Sequence, residues 1–214
     1  MAKINTILFD FDGTIMDTYE VIISSWQHTF RTFEGKERPE SEIIPTLGEP
    51  LELTVARLFP NFNLAEVLEV YRDYHIKNFK TNINLFPGMK GLLARLKEKG
   101  YKLGLVTSRL PVTTAQGLEK YELSEYFDAI VTVTDTKKHK PDPEPINLAL
   151  EKLGSTPGES IMVGDTKPDI LCAKNAGVKS VLVGWAIAFP KEERAGEYAP
   201  DYVIESAEDL FDIL

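Results

Sequence analysis

ILFDFDGTIMDT, residues 7–18, runs from three apolar residues into two aspartates one residue apart, then Gly-Thr, then a third aspartate. The apolar start reads as a buried strand. Such a strand ending in Asp10 and Asp12 places two like charges where water is scarce. That arrangement is costly unless something neutralises the carboxylates or uses them. In extended chain, residues i and i+2 point to the same side, so both carboxylates are expected on one face.

Outward from this stretch, four further segments read as short buried strands: YKLGLVTS (101–108), AIVTVT (129–134), SIMVGD (160–165) and KSVLVGW (179–185). With TILFDF (6–11) they form near-continuous apolar runs, several rich in β-branched residues. This is the pattern of parallel strands covered on both faces. Helical spacing lies between them at 89–100, 113–123, 143–154 and 169–177, and three of these segments end at a glycine. Strand and helix alternate, which predicts an α/β fold: a doubly wound, Rossmann-like parallel sheet.

Residues 17–86 break the alternation. EVIISSWQHTFRTF (20–33), EPLELTVARLF (49–59) and AEVLEVYRDYHIKNF (65–79) all carry apolar spacings of three and four. The expected organisation is a core of residues 1–16 and 87–214 with a helical cap, residues 17–86, inserted after the first strand. FPG (86–88) marks the return. Long inserts at such positions are often lids.

In doubly wound sheets, ligands bind beyond the carboxyl ends of the strands. There this sequence puts Asp10 and Asp12, then Thr107 and Ser108, then a loop holding KKHKPDPEP (137–145), then Gly164 and Asp165 with Asp169 four residues on. Asp10, Asp12, Asp165 and Asp169 make an all-oxygen site of high charge, suited to Mg²⁺, with Mn²⁺ as the alternative. Such a metal orients a phosphoryl group. One carboxylate is then placed as a nucleophile, and its neighbour can protonate the leaving group and activate water. A lysine and a threonine hydroxyl supply opposing charge and hydrogen bonds.

FDFDGT, LVTS, the KPDPEP lysine and VGDTKPD resemble, in order, the four motifs of the haloacid dehalogenase superfamily. The resemblance covers the whole chain, including the position of the cap. It implies Asp10 as nucleophile and metal ligand. It implies Asp12 as acid/base, its backbone carbonyl a further ligand. Thr107 and the Ser108 amide would bind phosphate, Lys140 would hold the nucleophile and phosphate, and Asp165 would be the second carboxylate ligand. Asp169 would be an outer partner, although it could also serve as an N-terminal helix acid. Within the superfamily, dehalogenases lack the second aspartate. Mutases sharing this cap carry a histidine where this chain has Ile22. The layout, with LGEPL, KPDPEP and VGWAI, is most similar to phosphoglycolate phosphatases and related bacterial pyrophosphatases.

The expected activity is therefore Mg²⁺-dependent hydrolysis of a small phosphate monoester through an aspartyl-phosphate, with inorganic pyrophosphate as the alternative substrate. A non-catalytic phospho-acceptor also uses carboxylates, a metal and Lys-Pro. It is shorter, however, lacks a helical insert, and carries its acceptor on a middle strand. Net charge is −9, from 24 basic and 33 acidic residues, with no basic stripe for nucleic acid. No apolar run reaches the length of a membrane span, and no signal-peptide pattern starts the chain. The single Cys172 cannot form an internal disulfide, which suits a reducing, cytoplasmic setting. A monomer is the default expectation, with a dimer as the alternative.

Other residues read more plainly. Gly13 permits a tight backbone and Thr14 supports the loop. Lys137 and Lys138 read as solvated. His28, His75 and His139 lack metal spacing, and Trp26 and Phe30 read as cap core. Cys172 reads as a small buried hydrophobe. Arg109 reads either as reaching a substrate anion or as a surface ion pair. The LGEP loop (47–50) is the cap candidate for reading the leaving group.

Overall fold

A computed structural model describes residues 3–214. Its central strand is β1 (Thr6–Phe9), in which every residue is buried. On one side lie β4 (Lys102–Val106) and β5 (Ala129–Val131). On the other lie β6 (Ser160–Gly164), β7 (Lys179–Val183) and β8 (Tyr202–Ile204). Among the described residues this is a six-stranded sheet in the order β5-β4-β1-β6-β7-β8, with every pairing parallel. The chain moves outward from β1 to β5 and then returns to β1's other flank. The strand order therefore reverses between β1 and β6, the position at which such sheets open a crevice.

Side-chain alternation assigns the two faces. Ile7 and Phe9 pack into one hydrophobic cluster, with Leu92, Leu93 and Leu96 of α5 (Met89–Glu98) and Leu118 of α6 (Pro111–Lys120). Leu8 points the other way, into a cluster with Ile146 and Leu150 of α7 (Glu144–Leu153) and with Cys172 of α8 (Lys167–Asn175). Each large side chain so buried contributes about 1.5–3 kcal/mol.

Four helices occupy the stretch after β1: α1 (Tyr19–Glu34), α2 (Glu40–Ile43), α3 (Leu51–Leu58) and α4 (Leu64–Phe79). They carry their own cluster, in which Trp26, Phe30, Phe59 and Tyr71 are buried. Asn63 starts α4 by accepting the amides of Ala65 and Glu66. The chain leaves and re-enters the sheet through a two-stranded antiparallel ribbon, β2 (Met16–Asp17) and β3 (Asn84–Leu85).

Several boundaries differ from the sequence reading. β1 ends at Phe9, not at residue 11, because the chain then curls. The amides of Ile15 and Met16 both donate to the Phe11 carbonyl, and that of Gly13 donates to Met16. β5 stops at Val131, because the Asp135 carboxylate accepts the amide and hydroxyl of Thr132 and turns the chain. β8 is an edge strand that the apolar pattern did not reveal, since Tyr202 and Val203 are exposed. No helix among the described residues is long and apolar enough to cross a membrane.

Candidate active site

Asp10 lies just past β1, its amide donating to Val163 of β6 at 2.9 Å. It is only 4% exposed. Asp165 follows β6 directly, and Asp169 is the third residue of α8. Side-chain oxygens of Asp10, Asp165 and Asp169 all lie within 4.8 Å of one another. Lys140, from the loop before α7, answers them. Its Nζ lies 2.6 Å from Asp169 Oδ1 and 3.0 Å from Asp10 Oδ1.

Three buried carboxylates thus lie beside one ammonium, which pairs with two of them, and the shifts of Asp10 and Asp165 show the imbalance. Burial pushes Asp10 up to about 7; Lys140 pulls against this, while Asp169 and Asp12 add to it. Burial, then the charges of Asp169 and Asp10, raise Asp165 well above the usual carboxylate range. Burial works against the Lys140 ammonium, but Asp10 and Asp169 outweigh it and hold it above the ordinary lysine value.

The donor set fits a hard cation. It is all oxygen, and Asp10 Oδ1, though ion-paired, has no aligned hydrogen-bond donor. Asp169 is already engaged. Its Oδ1 faces Lys140, while its Oδ2 accepts the Thr166 amide at 3.0 Å and the Thr166 hydroxyl at 2.6 Å. Asp10 accepts no aligned hydrogen bond and Asp165 accepts one, from Thr14, so these two could ligate a cation while Asp169 holds the lysine.

Gly13 makes this approach of chains feasible. Its φ is +67°, and a Cβ there would lie 2.0 Å from Asp165 Oδ2. Thr14 donates to Asp165 Oδ1 at 3.3 Å, which supports the loop.

Asp12 lies outside the group of carboxylates within 4.8 Å of one another, and it lines the same cavity as Asp10. The chain has left strand geometry at Phe9, and period-two alternation no longer applies. Asp12 still adds to the charge felt by Asp10. Its own Oδ1 accepts from the Thr18 hydroxyl at 2.6 Å and from Arg109 Nη1.

A cavity of about 910 Å³ opens over these residues, between the sheet's carboxyl edge and the helices. Asp10, Asp12, Ser108 and Asp165 line it. Thr107, Lys140 and Asp169 are buried. Thr107 Oγ1 accepts the Arg109 amide at 3.2 Å and keeps its own proton to donate. Leu47, Gly48 and Glu49 of the LGEP loop reach the cavity. Gly48 has φ +84°, and a Cβ there would meet the Thr166 side chain at 2.8 Å, so this loop sits directly on the sheet's edge.

Two residues gain importance from the fold. Arg109 is only 8% exposed, which rules out the surface ion-pair reading, and it bridges Asp12 to His75 Nε2. Its place directly after Thr107-Ser108 was the available signal. His75 is buried on α4 between Tyr71 and Phe79, each four residues away, and that spacing was the available signal. Trp26 belongs to the helical core yet also borders the cavity, and His139 lines the cavity as well. His28 stacks on Tyr74. Cys172 is fully buried, and burial pushes its thiol up to about 12.

The family described as haloacid dehalogenase-like hydrolase matches residues 7–183. The protein named pyrophosphatase PpaX from Halalkalibacterium halodurans is 40% identical over 212 residues, covering 99% of this chain and 97% of that one. A protein of the same name from Bacillus velezensis is 37% identical, covering 99% and 96%. Among solved structures, a haloacid dehalogenase-like family hydrolase from Streptococcus pneumoniae superposes with a TM-score of 0.86 at 26% identity. That superposition covers 100% of this chain and 99% of the other.

Proposed function

The chain belongs to the haloacid dehalogenase-like hydrolase family, a phosphatase by its relatives, and from that premise we propose that it is a Mg²⁺-dependent phosphohydrolase working through an aspartyl-phosphate on Asp10. The observation that carries this is the buried group of Asp10, Asp165, Asp169 and Lys140 at the point where the strand order reverses. Mg²⁺, held by Asp10, Asp165 and the Asp12 carbonyl, would offset the carboxylate charge and that of the phosphoryl group.

An Asp10 carboxylate oxygen attacks phosphorus, and the bond from phosphorus to the leaving oxygen breaks. Asp12 gives that oxygen its proton. It then takes a proton from the water that attacks phosphorus, and the bond to Asp10 breaks. The Thr107 hydroxyl, the Ser108 amide and Lys140 hold the phosphoryl oxygens. Residues 17–86 act as a cap that closes over the site and keeps out bulk water.

The cavity favours a small phosphate monoester. The cap's share of the wall includes Ile22, Trp26, Ile44, Leu47, Leu51 and Ile76. The two arginines on the wall already face carboxylates: Arg72 faces Glu52, and Arg109 faces Asp12. An organic leaving group with apolar surface matches this lining, whereas the carboxylate of phosphoglycolate or the second phosphate of pyrophosphate meets neither arginine unpaired. The second reading, inorganic pyrophosphate, is supported by the names of the relatives. The test is phosphate release from a panel of phosphate esters and pyrophosphate, with and without Mg²⁺, in wild type and Asp10→Asn. Metal-dependent release that the variant abolishes supports the proposal, and the preferred compound decides between the substrates. Release that needs neither the metal nor Asp10 contradicts it.

A further inference from the structure

Asp12 can move a proton to a leaving group only if its carboxyl is aimed, and the structure shows what aims it. Both of its contacts use one oxygen, Oδ1, which accepts from Thr18 and from Arg109. Arg109 is itself fixed from several sides. Its guanidinium lies 4.1 Å over the Phe79 ring, and its Nη2 meets His75 Nε2. Burial and the neighbouring Arg109 charge lower the His75 pKa well below the ordinary histidine value, so the ring is neutral.

One tautomer then satisfies both ring nitrogens of His75. His75 Nε2 accepts from Arg109, and Nδ1–H donates to Ser25 Oγ at 3.0 Å. Ser25 in turn donates to the Val21 carbonyl within α1. Ser25 and His75 belong to the helices, whereas Arg109 and Asp12 belong to loops at the sheet's edge. The hydrogen-bonded line therefore crosses from one to the other.

We infer that Arg109 and His75 are positioning residues for Asp12, with His75 tying the aim of the acid/base carboxyl to the seating of the cap. This rests on the reading of Asp12 given above. A purely structural ion pair would hold the loop but would leave proton donation unaffected, and leaving groups distinguish the two. A poor leaving group needs the proton; a good one departs without it.

The test is the single-turnover rate of phenol release, with Mg²⁺, from aryl phosphates whose phenols span a range of acidity. Wild type and Asp12→Asn are compared with Arg109→Met, Arg109→Lys, His75→Phe and His75→Gln, each checked for folding by circular dichroism. Arg109→Met and His75→Phe are expected to slow phenyl phosphate at least about tenfold while changing p-nitrophenyl phosphate less than about threefold. His75→Gln, whose amide oxygen can accept from Arg109, should recover most of the loss. Equal losses along the series, or none, overturn the inference. If Asp12→Asn steepens the dependence and the Arg109 and His75 variants do not, the inference alone fails. If Asp12→Asn leaves the dependence unchanged, or wild type releases no phenol, the underlying reading of Asp12 fails and takes the inference with it.

Discussion

At the scale of single residues, burial gives Asp10 an electrostatic cost. In the metal-free protein its carboxyl holds a proton up to about pH 7, against an ordinary value of 3.8. The folded state therefore binds more protons than the unfolded state between those values, and stability falls as pH rises through that window. Asp10 should therefore lower the melting temperature of metal-free protein at pH 8 relative to pH 5. Asp10→Asn should flatten the difference, and Mg²⁺ should raise the melting temperature more at pH 8. Thermal scans in chelator and in Mg²⁺ check the sign; a metal-free Asp10→Asn variant that responds to pH as wild type does contradicts it. Asp10→Asn should also lower turnover by roughly three orders of magnitude or more while the fold persists. Gly13→Ala forces a left-handed backbone and a Cβ against Asp165. It should cost on the order of 1–3 kcal/mol and weaken metal binding, measured by denaturation and by Mg²⁺ titration of activity.

At the scale of elements, the candidate site's residues sit where strands stop. Asp10 follows β1, Thr107 follows β4 and Asp165 follows β6. These positions were legible because each apolar run ends abruptly in a polar residue, and Lys140 was legible through the resemblance of KPDPEP to the family's motif. The aim of Asp12 was not, because the curl after Phe9 is set by amides converging on the Phe11 carbonyl, and side-chain pattern carries no record of that. The ribbon of β2 and β3 has two residues per strand, too few for any periodicity, and β8 exposes two of its three residues. The link from Arg109 to His75 joins positions 34 residues apart and exists only once α4 lies against α6. The LGEP loop was marked by its glycine, and Gly48 does press on Thr166. Gly48→Ala should lift that loop, raising KM several-fold with a smaller change in kcat. Steady-state kinetics check this; a lowered kcat at unchanged KM contradicts it.

At the scale of the whole molecule, a mostly apolar helical cluster and a charged sheet edge enclose one cavity. The two tryptophans border it from opposite sides, Trp26 from α1 and Trp185 from the loop after β7. Closure of the cap over a phosphoryl mimic should alter the surroundings of both. Adding orthovanadate with Mg²⁺ is expected to shift tryptophan emission, with part of the change lost in Trp26→Phe and part in Trp185→Phe. Orthovanadate without Mg²⁺ should leave the spectrum unchanged. An unchanged spectrum with both present contradicts closure around the site.

The central claim is that Asp10 forms a covalent phosphoryl intermediate. Its most direct test uses Asp12→Asn mixed with Mg²⁺ and p-nitrophenyl phosphate, quenched in acid and mapped by peptide mass spectrometry. This substrate needs little help in leaving, while the hydrolytic step lacks its base, so the intermediate should accumulate. A phosphoryl group on the peptide carrying Asp10, absent when Asp10 is also replaced by Asn, is the predicted result. Continued turnover with no phosphopeptide, or a phosphoryl group on another residue, contradicts the account.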